Sequence, residues 1–208
     1  MRILFAAACA LAAFAAPAMA QDHSGHDMAS HGASMGEDHA HHAALTRALA
    51  MENRAEDRAR DQYRHPFETL DFFEVKPGMT VVDYMPASGW YTRVLVPYLG
   101  AQGRYVGLTP DPAAADGERF ANYFAKLPGD FETARGGWNL SGAPISVYAS
   151  QDLPEEIKGQ VDRVLVFREM HNLLRSGVLY TELMRMRGLL KDDGMLGIVQ
   201  HRAKSDAP

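Results

Sequence analysis

Five short apolar runs alternate with segments of helical spacing from residue 79 onward. They occupy residues 79–82, 104–108, 144–149, 161–167 and 195–199. The fourth run, VDRVLVF, ends in a continuous apolar stretch, as is typical of a strand that is covered on both faces. This alternation predicts an α/β domain with a parallel sheet and right-handed crossovers.

The stretch MTVVDYMPASGWYT, residues 79–92, is the most informative part of the pattern. Its apolar residues lead to an acid, Asp83, and a segment of helical spacing begins at Trp90. Between them lies a turn built from Pro86, Ala87, Ser88 and Gly89. A strand, a loop of small residues and a helix N-terminus in this order predict a ligand site at the carboxyl edge of the sheet. An ordinary strand-to-helix turn is the alternative interpretation.

The N-terminus has the features of a targeting segment. Arg2 supplies a positive charge, residues 3–16 an apolar region, and residues 18–20 a small-x-small cleavage site. We therefore predict a signal peptide over residues 1–20 and a periplasmic or secreted mature protein. The apolar region is too short and too rich in alanine for a membrane span, so we expect no stable membrane insertion after cleavage.

Composition narrows the classes of function. The 208 residues, of which 47% are hydrophobic, suffice for one domain with a core and a shorter segment. A formal net charge of -5 and the absence of any run of Lys or Arg argue against a nucleic-acid-binding protein. The single cysteine, Cys9, lies in the predicted leader, so the mature fold has to be stable without disulfides.

Residues 21–44 are rich in histidine and low in complexity. They contain no apolar pattern that could bury a core, and we predict that they are disordered. Imidazoles on such a segment can bind Zn(II), Cu(II) or Ni(II), whereas the alternative is a solvated linker with adventitious affinity. The candidate ligands are His23, His26, His31, His39, His41 and His42.

Residues 45–78 predict a helical arm that precedes the α/β domain. Leu45, Leu49 and Met51 form an apolar stripe, and the charged residues between positions 52 and 61 form a solvated face. Pro66 interrupts the helix, and the apolar residues after it are suited to docking on a domain. We therefore divide the chain into residues 1–20, 21–44, 45–78 and 79–208, the last being the α/β domain.

The order of motifs resembles class I S-adenosylmethionine-dependent methyltransferases. More closely, it resembles secreted bacterial predicted methyltransferases with an R-x-P-x-x-T-L-x-F-F-x-x-x-P-G-M lead-in, which here extends from Arg64 to Met79. The P-G-x-G-W-Y-T loop of that family matches residues 86–92, its F-R-x-x-H-N motif residues 167–172, and its late L-K-x-x-G-x-L-G-I-V-x-H-R motif residues 190–202. The resemblance implies a Rossmann-like methyltransferase sheet of five parallel strands with flanking helices.

The resemblance also implies S-adenosylmethionine as the cofactor. Its methionine part would lie on the loop formed by Asp83, Pro86, Ala87, Ser88 and Gly89, and Asp152 would lie near the adenine. Met85 and Ala87 occupy two of the three glycine positions of the family's loop. Thr109 stands where the family has an acid for the ribose hydroxyls, and Asp111 is the nearest carboxylate that could replace it.

The residues after the fourth strand are candidates for the chemistry. Methyl transfer is an in-line displacement, so positioning and desolvation carry most of the work. His171 would lie where the methyl group points, and it could act as a general base for an acceptor that loses a proton. Asn172 could orient the acceptor, and Arg168 or Glu169 could bind its charge. The alternative for His171 is a structural role, as a helix cap or a partner of a backbone carbonyl.

The resemblance stops before the C-terminal hairpin, β6–β7 in the family's nomenclature, that pairs with the fifth strand. We expect either a shortened gene or a fragment, with residues 195–199 exposed as an apolar edge that favours self-association. The predicted function is S-adenosylmethionine-dependent methyl transfer to an unidentified acceptor. Because this cofactor is made in the cytoplasm, a non-catalytic periplasmic binding or metal-handling protein on the same fold is the alternative. An enzyme that uses the cleft for another small ligand is a third possibility.

Overall fold

A computed structural model of the chain describes residues 2–5 and 28–202. The described side chains begin at His39. Most of the predicted signal peptide, and the candidate ligands His23 and His26, lie outside the described residues. The side chain of His31 also lies outside them.

The centre of the molecule is a sheet of six parallel strands in the order β1-β6-β5-β2-β3-β4. The strands are β1 (Arg2–Phe5), β2 (Thr80–Tyr84), β3 (Arg104–Thr109), β4 (Ile145–Ala149), β5 (Val161–Phe167) and β6 (Leu190–Val199). Strands β2 to β6 are the five that the apolar runs predict, so the predicted parallel α/β sheet is confirmed. Parallel pairing forces the chain to cross the sheet between strands, and the helices occupy these crossovers.

Seven α-helices surround the sheet within the described residues. They are α1 (Met28–Ala50), α2 (Asp61–Arg64), α3 (Pro66–Phe72), α4 (Thr92–Leu99), α5 (Glu118–Arg135), α6 (Met170–Arg175) and α7 (Leu179–Leu189). Short 3₁₀ turns lie at Glu52–Arg54, Arg58–Arg60, Pro112–Ala114, Ser150–Asp152 and Glu155–Ile157. No helix of the described part is long and apolar enough to cross a membrane.

The alternation of side chains along each strand produces two core layers. On one face Val81 and Leu165 pack with α1, α3 and α4, and on the other Val82 and Val164 pack with α5, α6 and α7. Each of these four valine and leucine side chains is fully buried. Both faces of the sheet are therefore covered, which is why the central strands β2 and β5 are apolar over much of their length.

Two helices differ from the sequence prediction. Helix α1 begins at Met28, inside the segment 21–44 that we predicted to be disordered, so that prediction is wrong for its C-terminal part. The segment is rich in alanine and free of proline, and burial of Leu45 and Ala48 anchors the helix to which it belongs. Helix α5 continues to Arg135, although the glycines at positions 129, 136 and 137 favour a loop from residue 129 onward. Burial of Phe131 against the sheet favours the longer helix.

The edge of β6 is occupied in the described chain. Strand β1 pairs with it in parallel, with Arg2 opposite Met195 and Phe5 opposite Ile198. The expectation of an unpaired edge is therefore wrong for the chain with its N-terminus attached. Cleavage after residue 20 would remove β1, so self-association through this edge remains a prediction for the cleaved protein.

A buried polar network joins α7 to the carboxyl ends of β2 and β4. The fully buried carboxylate of Glu182 accepts hydrogen bonds from Tyr84 Oη at 3.0 Å, Ser150 Oγ at 2.7 Å and Arg185 Nη1 at 2.8 Å. Arg185 Nη2 also donates to Asp111 Oδ2 at 2.9 Å. A buried carboxylate is stable only with such partners, so these contacts fix α7 against the sheet.

Candidate functional site

A cleft of about 310 Å³ opens at the carboxyl ends of β2 and β5. The chain runs from β2 to β3 and β4 on one side and returns to β5 and β6 on the other, so the loops after β2 and β5 diverge. Such a reversal of strand order creates a crevice in which parallel α/β sheets bind ligands. The sequence-predicted residues that line the cleft are Asp83, Pro86, Ala87, Ser88, Arg168, Glu169, His171 and Asn172.

The loop after β2 has the conformation of a glycine-rich loop, although only one of the three positions is glycine. Met85, Ala87 and Gly89 have φ angles of 54°, 49° and 72°. A side chain with a Cβ is strained in this left-handed region by about 1–2 kcal/mol. Surrounding contacts hold the loop in this state: Met85 N donates to Leu108 O, and Gly89 N donates to Pro86 O.

Gly89 is needed for a second reason, which is close packing. A Cβ at this position would overlap the indole ring of Trp138, which packs directly against Gly89. The guanidinium carbon of Arg93 lies 5.0 Å from the centre of the Trp138 ring, and Arg93 Nη2 donates to Asp57 Oδ1 at 2.8 Å. These contacts connect Asp57 of the N-terminal arm, through Arg93, to the Trp138 ring that packs on the loop.

Asp83 forms the floor of the cleft and is almost completely buried. Its Oδ2 accepts a hydrogen bond of 2.8 Å from Tyr105 Oη. Because the Tyr105 proton is used there, the Thr92 hydroxyl donates to the Tyr105 oxygen at 2.7 Å. Burial raises the pKa of Asp83 to about 7, and the hydrogen bond from Tyr105 offsets part of that effect. The carboxyl group therefore titrates near neutral pH.

Aromatic rings and arginines form one wall of the cleft. The rings of Tyr91 and Phe167 stack with their centres 3.6 Å apart, and the Arg64 guanidinium carbon lies 4.6 Å from the centre of the Trp90 ring. Partial burial and the charge of Arg168 lower the pKa of Arg64. Among the described residues, no acid forms an ion pair with either arginine, so this wall carries positive charge that an anionic group can neutralise.

The residues that follow Arg168 bring the candidate acid–base groups to the cleft. His171 Nδ1 lies 3.2 Å from Gln200 Nε2. An amide NH₂ can only donate, so Nδ1 accepts and a neutral His171 ring carries its proton on Nε2. Asn172 Nδ2 donates to Glu169 Oε2 at 2.8 Å, and burial raises the pKa of Glu169. The base role of His171 remains a prediction, and Glu169, whose pKa is raised, is another candidate base in the same part of the cleft.

A second cavity, of about 340 Å³, lies on the other side of the loop tip. It shares Met85, Pro86, Ala87 and Glu169 with the cleft, and Thr109 lines it together with aromatic and apolar residues of α5. The two cavities together offer an elongated space on both sides of the β2 loop. This shape suits a ligand with two different ends.

The remaining predicted cofactor residues lie away from both cavities. The carboxylate of Asp111 is held by Arg185 and by the backbone N–H of Ala113, which donates to Oδ1 at 2.8 Å. Asp152 is exposed in the turn after β4 and accepts from Gln151 Nε2 at 3.1 Å. The structure therefore does not bring either acid to the cleft. Tyr91 belongs to a matching motif but is not predicted from the sequence to form a wall of this cleft. Arg64 belongs to another such motif and to a segment that could fold over a cleft or simply pack.

The histidines of the N-terminal segment are separate from the cleft. His39, His41 and His42 lie on α1, where His39 is exposed and the other two face α3. None of the three lines either cavity.

A larger groove, of about 690 Å³, lies between the arm and the loop that carries Trp138. It is open and lined on one side by Glu52, Glu56 and Asp57. The cleft at the strand ends is the stronger candidate for chemistry, because it is lined by Arg64, Asp83, Tyr91 and Glu169, whose pKa values are all perturbed.

Replacing Ala87 by Gly tests the strain in the loop. We expect the free energy of unfolding to increase by about 0.5–1 kcal/mol, because the relief of left-handed strain exceeds the entropic cost of glycine. Ala115 has a φ of -77°, so Ala115→Gly is the matched control and should destabilise the protein. Urea unfolding followed by circular dichroism gives both values, and equal effects of the two substitutions would contradict the assignment.

Asp83 should make stability depend on pH. The pKa of Asp83 is raised in the folded state. Its contribution to the free energy of unfolding is therefore complete below the unfolded pKa of about 4 and is lost as the pH rises through about 7. Between pH 5 and 8 this loss amounts to about 2–3 kcal/mol. Asp83→Asn should flatten the profile over this range in urea unfolding experiments. An unchanged slope in the variant would show that other groups cause the dependence.

Comparisons with known proteins find similarity at the level of structure only. No protein-family model matches the chain, and no curated protein matches its sequence. A structure of an S-adenosylmethionine-dependent methyltransferase from Aquifex aeolicus is 18% identical, with a TM-score of 0.47, over 76% of this chain and 78% of that one. A cyclopropane-fatty-acyl-phospholipid synthase-like protein from Lactobacillus casei is 17% identical, with a TM-score of 0.44, over 78% of this chain and 59% of that one.

Proposed function

We propose that this chain is an S-adenosylmethionine-dependent methyltransferase that acts on a small acceptor. The observation that supports the proposal is the cleft at the reversal of strand order, which has the buried Asp83 at its floor. The loop of left-handed residues after β2 lines the same cleft. Ligands with charged and apolar parts bind in crevices of this kind.

Each of the two cavities would hold a different part of the cofactor. We infer that the nucleoside lies in the cavity lined by Thr109 and that the methionine part lies in the cleft beside Asp83. Thr109 has a hydroxyl that can bind a ribose hydroxyl, although it lacks the charge of an acid. Because Asp111 is held by Arg185, it has no part in this proposal.

Asp83 supplies the specificity for a positively charged ligand. A carboxylate that is buried with one hydrogen bond is destabilised in its charged form, as the raised pKa indicates. A sulfonium ion nearby would lower that pKa and favour the charged form. S-adenosylmethionine should therefore release a proton from Asp83 on binding near pH 7, whereas the uncharged thioether of S-adenosylhomocysteine should not.

The carboxylate of the methionine part also has candidate partners. Arg64 lies in the cleft without an acidic partner among the described residues, and the backbone N–H groups of Ala87 and Ser88 lie at the turn before α4. Backbone N–H groups before a helix N-terminus favour anions. The second arginine, Arg168, is then available for an acceptor that carries negative charge.

Proton removal from the acceptor involves the residues that follow Arg168. Glu169 lines both cavities and is oriented by Asn172, and its raised pKa brings it closer to the range in which a carboxylate is an effective base. His171 is the other candidate and lines the same cleft. Transfer itself requires only alignment and exclusion of water, to which the stacked rings of Tyr91 and Phe167 contribute.

Isothermal titration of the full chain with both forms of the cofactor tests this proposal. We expect both to bind, with proton release for S-adenosylmethionine alone, detected by comparing two buffers of different ionisation enthalpy. Asp83→Asn should weaken S-adenosylmethionine binding by about tenfold or more, or about 1.4 kcal/mol, and S-adenosylhomocysteine binding much less. Glu155→Gln changes an exposed acid in a distant turn and serves as the control.

The possible outcomes separate the parts of the proposal. If neither ligand binds the parent protein, the enzymatic function is wrong and a non-catalytic binding protein is the better interpretation. If both ligands lose affinity equally in Asp83→Asn, the cofactor site stands but the role of Asp83 toward the sulfonium is wrong.

We also propose that residues 1–20 direct export to the periplasm or beyond. Export is supported by the positive charge of Arg2, the apolar region and the small-x-small sequence. Alkaline phosphatase fused after residue 30 should be active outside the cytoplasm, and Arg2→Glu should reduce that activity. An inactive fusion would contradict export. The protein would then remain in the cytoplasm, where the cofactor is made.

A further inference from the structure

Two histidines of α1 meet a carboxylate of α3 on the face of the domain formed by the N-terminal arm. Nitrogen atoms of His41 and His42 and a carboxylate oxygen of Asp71 all lie within 4.8 Å of one another. His42 Nε2 is 2.7 Å from Asp71 Oδ1, and His41 Nε2 is 3.9 Å from the same oxygen. The two imidazole rings have their centres 4.3 Å apart. Three potential metal ligands from two helices are therefore in one place.

Hydrogen bonding fixes which nitrogen of His41 faces this cluster. Tyr98 Oη donates its only proton to the backbone carbonyl of Val75 at 2.7 Å. His41 Nδ1 lies 3.0 Å from the same hydroxyl oxygen, so Nδ1 must donate to it. In the neutral ring the lone pair is then on Nε2, the atom that points to Asp71. Histidines that bind metals have this arrangement, in which the second ring nitrogen donates to a fixed partner.

The distances are close to those that a metal ion needs. In a tetrahedral site with metal–nitrogen and metal–oxygen bonds of about 2.0–2.1 Å, neighbouring ligand atoms are roughly 3.3 Å apart. The two observed distances to Asp71 Oδ1, 2.7 and 3.9 Å, differ from this value in opposite directions. Small rotations of His42 and Asp71, whose side chains are 40% and 42% exposed, would equalise them.

The surroundings of the cluster differ on its two sides. His41 is 9% exposed and packs toward Tyr98, so it gives the site a rigid inner ligand. The exposed side of His42 and Asp71 leaves space for water as a further ligand. Two neutral imidazoles and one carboxylate give a donor set with one negative charge, which suits a divalent ion of the first transition row.

We propose that His41, His42 and Asp71 bind a Zn²⁺, Cu²⁺ or Ni²⁺ ion that joins α1 to α3. The site is distinct from the cleft, and it does not depend on the proposed methyltransferase activity. It also differs from capture by a flexible histidine segment, because its ligands belong to two packed helices and one of them is a carboxylate. Binding of the ion should therefore stabilise the docking of the arm.

Titration of the full, metal-free chain with Zn²⁺ tests the site. We expect Asp71→Asn to lower the Zn²⁺ affinity by about tenfold or more, because the amide keeps the shape but loses the charged ligand. Glu68→Gln is the matched control, since Glu68 is an exposed acid on the same helix and lies outside the cluster. A combined His23, His26, His31 and His39 to Ala variant measures binding by the other histidines.

Thermal unfolding supplies a second test, because metal binding to a loose histidine segment would not stabilise the folded domain. At one Zn²⁺ concentration near the parent's Kd, the ion should raise the Tm of the parent and of the Glu68→Gln control clearly more than that of Asp71→Asn. The proposal is overturned if Asp71→Asn binds Zn²⁺ as tightly as the parent, or if the combined histidine variant loses all binding. Circular dichroism of Asp71→Asn without metal shows whether the variant is folded. Binding of S-adenosylhomocysteine to the same variant tests the cofactor site separately.

Discussion

Burial of the Asp83 carboxyl group at the end of β2 is the constraint on which the proposed site depends. A carboxylate in this position loses its hydration and gains only one hydrogen bond, from Tyr105, so its neutral form is favoured until about pH 7. Thr92, at the start of α4, holds the Tyr105 hydroxyl in turn. The strand, the neighbouring strand and the following helix are thereby joined around one acid. Such an arrangement lowers the stability of the free protein and becomes favourable when a cation lies beside the acid.

The loop that follows Asp83 illustrates how tertiary contacts can impose a backbone conformation. Met85 and Ala87 have the positive φ angles that glycine adopts without strain. The pairing of Met85 with β3 and the packing of Trp138 on Gly89 compensate for this strain. The resemblance to glycine-rich loops is therefore one of conformation, even where the residue type differs. The loop can still approach a ligand closely, because Ala87 is small.

The buried network around Glu182 explains why one expected cofactor residue is absent from the cleft. Asp111 would have to leave Arg185 in order to bind a ribose, and that would leave a partly buried guanidinium with fewer partners. The contact between α1 and α3 is of the same kind, since residues 29 positions apart in the sequence share a hydrogen bond at His42 and Asp71. Both clusters connect a helix to the rest of the domain through charged or polar groups.

The amino-acid sequence predicts the five strands after residue 79, their parallel pairing and the position of the loop, because apolar runs and turn residues are local signals. It also identified Asp83 and the residues after β5 as a group, since the carboxyl ends of parallel strands meet at one edge. The folded molecule adds features that the sequence does not predict: the start of α1 at Met28, the pairing of Asp111 with Arg185, and the contact of Asp71 with the histidines. These features depend on groups that are distant along the chain, and no local periodicity encodes them.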